Sequence, residues 1–142
     1  MSVMKIGIKI FLAIAFLFCF ACEDQSLVVK CPDCLSEEPT DANLEIKLDV
    51  NRLGGAILIN IYEGNIEDSI LYSSIQTISS TATLSVTLNK KYTATATYYV
   101  NDNYYVAIDS ATPRVRFDKT QCDDPCYFVY DKNIDLRLKY TR

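Results

Sequence analysis

Histidine and tryptophan are both absent from this 142-residue chain. Without histidine it lacks the usual general base at neutral pH and the commonest metal ligand. Without tryptophan, any aromatic contact surface falls to tyrosine, of which there are ten. Glycine and proline are scarce, at four residues each, and no glycine-rich phosphate loop is present. No serine, threonine or lysine sits in a nucleophile-elbow or triad motif. Clustered lysine and arginine, which nucleic-acid binding needs to meet phosphates, are missing as well. The acid pairs Glu67-Asp68 and Asp123-Asp124 fall in predicted loops. Neighbours on one loop do not face each other across a cleft as glycosidase carboxylates do. They read as solvated charge, with weak calcium coordination as the alternative. The chain is therefore expected not to be an enzyme, to need no cofactor or metal, and to bind no nucleic acid.

Long apolar runs are equally rare, and the one present lies at the start. Lys5 and Lys9 precede thirteen apolar residues from Ile10 to Cys22, which Glu23 and Asp24 close. A spanning helix needs about 20 apolar residues, whereas about 10–14 fit the apolar region of a signal peptide. Cys19-Phe20-Ala21 is a small-x-small triplet, so cleavage after Ala21 leaves Cys22 at the new N-terminus. This stretch resembles a bacterial lipoprotein precursor, in which the cysteine after the cleavage site carries acyl chains. The resemblance covers residues 1 to about 24. It departs from the family's lipobox at Cys19, where leucine is preferred, and at Phe20, where a small residue is usual. It implies lipidation of Cys22 and anchoring in a membrane, since two or more acyl chains hold a protein there without a spanning helix. The acids after Cys22 also resemble the start of surface-displayed lipoproteins of the Bacteroidota, which implies the outer membrane of the cell envelope. An ordinary secreted protein cut at the same bond is the alternative.

The expected organisation is a cleaved signal over residues 1–21, an acidic tether over 22–41 and one domain over 42–142. Residues 22–142 keep all 18 acids and 12 of the 14 bases, a net charge of −6. From Leu44 onward the pattern alternates with period two, the mark of half-buried strands. Leu44, Ile46, Leu48 and Val50 share one face, and Ile57, Ile59 and Ile61 another. Leu84, Val86 and Leu88 form a third set, and Tyr92, Ala94, Ala96, Tyr98 and Val100 a fourth. Turn residues bound each segment, and no stretch offers three turns of helical apolar spacing. The fold class predicted is all-β, a single antiparallel β-sandwich of about seven to eight strands. By analogy alone the order looks immunoglobulin- or transthyretin-like.

Two features suggest sites. Cys31-x-x-Cys34 and Cys122-x-x-x-Cys126 admit three readings: disulfides, a four-cysteine zinc site, or a redox pair. Disulfides are the default outside the cytoplasm. Cross-pairing, which staples the tether to the loop before Tyr127, would close loops of roughly 90 residues and contribute about 4–5 kcal/mol. Four tyrosines flank the Asn101-Asp102-Asn103 turn. If all three residues form the turn, Tyr99 pairs with Tyr105 on the threonine face, towards water. Tyr98 and Tyr104 then point into the core. Exposed Tyr99 and Tyr105 are thus the candidate binding residues for a sugar or a protein, the alternative being a cross-strand pair that only steadies the hairpin. The functional expectation is a non-catalytic, envelope-anchored lipoprotein with a β-sandwich interaction domain. The alternatives are a glycan-binding module, or a small inhibitor or assembly subunit for one protein partner.

Overall fold

The computed structural model describes residues 30–50 and 55–139. The expected signal segment and the lipidation candidate Cys22 lie outside these residues. Nine strands occur among them: β1 Asp41–Lys47, β2 Ile57–Glu63, β3 Leu71–Thr77, β4 Thr81–Thr87, β5 Tyr92–Val100, β6 Asn103–Ala111, β7 Arg114–Asp118, β8 Cys126–Tyr130 and β9 Asn133–Asp135. The ninth has only three residues. Two short 3₁₀ turns, Cys31–Asp33 and Ile66–Asp68, complete the elements. No described helix is long and apolar enough to cross a membrane.

Alternation becomes architecture directly. Along β1 the residues are exposed and buried by turns, with Ala42, Leu44 and Ile46 inward. In β2, Ile57, Ile59 and Ile61 point inward while Leu58 faces out. One three-stranded sheet has the order β4-β1-β9, and a four-stranded sheet the order β3-β2-β5-β6. The inward residues of both sheets form a single core cluster. Leu44, Ile46, Val86 and Ile134 lie on one side, and Ile57, Ile59, Ile61, Tyr92, Ala94, Ala96 and Tyr98 on the other. Each fully buried large aliphatic side chain contributes about 1.5–3 kcal/mol of transfer free energy. The fold is thus an all-β sandwich, not a closed barrel. A separate two-stranded ribbon, β7-β8, carries the second cysteine pair at its loop and at the start of β8.

One pairing is parallel: β9 lies beside β1 with Glu45 opposite Asn133 and Lys47 opposite Asp135. The other named strand pairings are antiparallel. Tyr98 ties the layers together, because its hydroxyl donates to the Leu136 carbonyl at 2.7 Å and accepts the Asp49 N–H at 3.4 Å. The predicted tether does not run free over its second half. Cys31 is bonded to Cys122 and Cys34 to Cys126. Leu35 and Tyr127 exchange both backbone hydrogen bonds at 2.8 Å.

Candidate functional site

The outer face of the four-stranded sheet is the candidate site, and the β5–β6 hairpin determines its composition. The turn has two residues, not three. Asn101 and Asp102 take φ of 48° and 61°, the two consecutive positive values of a type I′ turn, whose twist matches the flanking strands. Val100 then pairs with Asn103, Tyr99 with Tyr104, and Tyr98 with Tyr105. This corrects the sequence expectation by one residue, and a slip of one turns every side chain of a strand to the opposite face. Tyr104, expected inside, is 76% exposed, whereas Tyr105 is half-buried against the core. Tyr105 is therefore no part of the outer surface. Tyr99 stays where it was expected, at 53% exposure.

The exposed pair is ordered. The Tyr99 and Tyr104 rings stand 4.8 Å apart, tilted by 44°. The Tyr99 hydroxyl donates to Asp102 Oδ1 at 3.0 Å, so the turn residue that sets the register also orients the ring. Behind the pair lies a row in direct register across three strands, Leu58, Thr97 and Val106, followed by Asn60, Thr95 and Ile108. Leu58, Val106 and Ile108 are all large, apolar and exposed. Beside the tyrosines an open cleft of about 550 Å³ is lined by Gly55, Leu58, Thr97, Tyr99 and Tyr104 among others. The far end of the face is polar. There the Thr93 hydroxyl donates to the Gly64 carbonyl at 2.7 Å.

The shifted ionisable groups, of which only Tyr98 also lines the cleft, have structural causes. Burial raises Tyr92 and Tyr98 above the usual tyrosine range. Asp135 lies well below the carboxylate range because Arg137 grips both its oxygens, at 2.8 and 2.7 Å. Asp118 is lowered by the N–H groups of Gln121 and Thr120, which donate to Oδ1 at 2.8 and 2.7 Å. The acid pairs occupy loops, as expected. Glu67 and Asp68 are exposed in the second 3₁₀ turn, where Asp68 accepts the Asn65 N–H, and Asp123 and Asp124 are exposed beside the cysteines.

Sequence reasoning missed Tyr104 and the Leu58–Val106–Ile108 stripe. The available signal was that Leu58 alternates against Ile57 and Ile59 in a wholly apolar run. In comparisons with protein-family models, curated proteins and solved structures, nothing matches this chain.

Proposed function

We propose that the protein is a non-catalytic, lipid-anchored component of the cell envelope. Its sandwich docks one protein partner through the outer face around Tyr99, Tyr104, Leu58, Val106 and Ile108. Acyl chains on Cys22 hold it at the outer membrane, and the stapled segment between Cys31 and Leu35 fixes how the sandwich leaves that anchor. The observation that carries the reading is the set of exposed apolar side chains on one face, Tyr104, Val106 and Ile108 along β6 with Leu58 across Thr97 from Val106, since such a patch rimmed by polar residues marks an interaction surface. The net charge of −6 over residues 22–142, with Asp102 at the rim, suits a partner whose apolar contact is edged by lysine or arginine. A protein partner is preferred to a sugar because the two tyrosine rings are tilted against each other. Inclined at 44° to each other, they form no flat double platform for a sugar ring.

Photocrosslinking residues placed at Tyr104 and Val106 in the native envelope test this reading. One discrete protein adduct is expected from both, and none from Thr83 on the opposite sheet. Leu58→Asp/Val106→Asp should abolish it while the fold survives. Selective retention on a glycan array, lost in Tyr99→Ala/Tyr104→Ala, would instead establish the sugar-binding alternative. Intact-mass measurement tests the anchor separately, and a mature chain without acyl mass at Cys22 would overturn it.

A further inference from the structure

The two disulfides are not isolated from each other. Cys34 and Cys122 belong to different disulfides, yet their sulfurs stand 3.5 Å apart. The sulfurs of Cys34, Cys122 and Cys126 all lie within 4.8 Å of one another. Cys31, bonded to Cys122, stands outside this group of three and is the fourth candidate ligand. A tetrahedral zinc–thiolate centre, with Zn–S of about 2.3 Å, sets its sulfurs about 3.8 Å apart. Two cysteine pairs of this spacing on separate segments are also the usual ligand arrangement of a structural zinc site.

Hydrogen bonds fasten both segments as well. Leu35 and Tyr127 exchange two hydrogen bonds of 2.8 Å, and the Asp118 carboxylate holds the loop that leads to Cys122. Cys31 is exposed and Cys34 and Cys122 are half-buried, so small reductants and ions reach them. Asp33, Asp123 and Asp124, all exposed nearby, add negative charge that favours a cation.

We propose that this cluster is a two-state site. Once a dithiol reduces both bonds, Cys31, Cys34, Cys122 and Cys126 together bind one thiophilic divalent cation of the zinc class. Each disulfide takes two electrons and two protons from one dithiol, which leaves as its own disulfide. The four thiols then release four protons as the ion binds. In the oxidised form none of these four sulfurs is a thiolate. The tether is fastened to the β7–β8 ribbon in both states, covalently in one and by coordination in the other.

The test uses the full chain, reduced under argon with a dithiol, freed of it by gel filtration, then titrated with Co²⁺ and afterwards Zn²⁺. One equivalent of Co²⁺ should produce the charge-transfer and d–d absorption of a tetrahedral thiolate centre, and Zn²⁺ should bleach it. Zn²⁺ should also protect these four cysteines from alkylation, as mapped by peptide mass. The oxidised protein should show neither effect, and Cys34→Ser and Cys126→Ser should each lose the four-sulfur spectrum. Circular dichroism and exchange protection at the Leu35 and Tyr127 amides report whether the reduced frame persists. Absence of stoichiometric binding, or protection of fewer than four cysteines, overturns the proposal. So does loss of the β signal on reduction that Zn²⁺ does not restore.

Discussion

Single side chains do unequal work here, and Tyr98 shows why. Its ring is fully buried and its hydroxyl spans from β5 to the Leu136 carbonyl in the facing layer. Tyr98→Phe keeps the packing but leaves that carbonyl without its donor. The expected cost is about 0.5–1.5 kcal/mol by urea denaturation at neutral pH. The pH dependence follows from burial, which raises the folded-state pKa above the ordinary 10.0. The unfolded chain then loses its proton first, so the contribution is intact below about pH 10 and disappears as pH rises through the folded value. Alkaline denaturation should be shallower in Tyr98→Phe, with buried Tyr92 supplying what remains, and an unchanged slope would rule Tyr98 out as a source. Asp118 works in the opposite direction. Its pKa lies below the usual 3.8 because it accepts the Gln121 and Thr120 N–H groups. Its contribution is present above that range and is lost as pH falls through the depressed value. Asp118→Asn, which keeps an acceptor, should melt between wild type and Asp118→Ala, and both should flatten the acid limb of a Tm-against-pH curve.

Among the elements, the β5–β6 hairpin decides what the molecule presents to its surroundings. Asp102 adopts the left-handed region that β-branched residues resist, at about 1–2 kcal/mol. Asp102→Val should therefore lose about that much stability in urea titrations, and it also removes the acceptor that orients Tyr99. Asp102→Gly should keep the fold and isolate the loss of that hydrogen bond. This turn also marks the boundary of what the sequence makes legible. Apolar residues such as Leu44, Ile46, Ile57 and Ile59 announce their face by chemical contrast with their neighbours, so the all-β sandwich and most of its core were readable. Asn101-Asp102-Asn103 offers three residues that all tolerate turns, and Tyr104-Tyr105 offers two identical side chains. Neither shows which of the two tyrosines faces water, and only the cross-strand fit of β6 against β5 selects Tyr104. The cysteine partners could not be deduced from spacing either. Pairing across the chain is decided where residues 31–35 dock on β8, and that contact has no local sequence pattern.

For the whole molecule, the two disulfides are not independent. Each spans more than 90 residues, a loop that the chain-entropy model values at about 4–5 kcal/mol. With one bond in place, however, the other closes only the small ring of residues 31–34 and 122–126, for which the same relation gives about 2–3 kcal/mol. Cys34→Ala/Cys126→Ala should therefore cost about 2–3 kcal/mol in denaturant titrations, and so should Cys31→Ala/Cys122→Ala. Removing all four cysteines should cost about 7 kcal/mol, the first loop and the ring together, which is a large share of the 5–15 kcal/mol typical of a domain. A quadruple variant that loses only the sum of the two double-variant losses would contradict the shared-loop argument.

The parallel contact between β1 and β9 carries a consequence for timing. Glu45 and Lys47 have β4 on one side from early on, but acquire their neighbours on the other side only when Asn133 to Asp135 arrive, and the core acquires Ile134 and Leu136 at the same moment. A ribosome delivers the first strand long before the last, so a growing chain holds an open seam until residues 133–136 emerge. Such a chain cannot lock early. Its three-stranded layer stays one strand short, and its core lacks Ile134 and Leu136, until that segment docks beside β1.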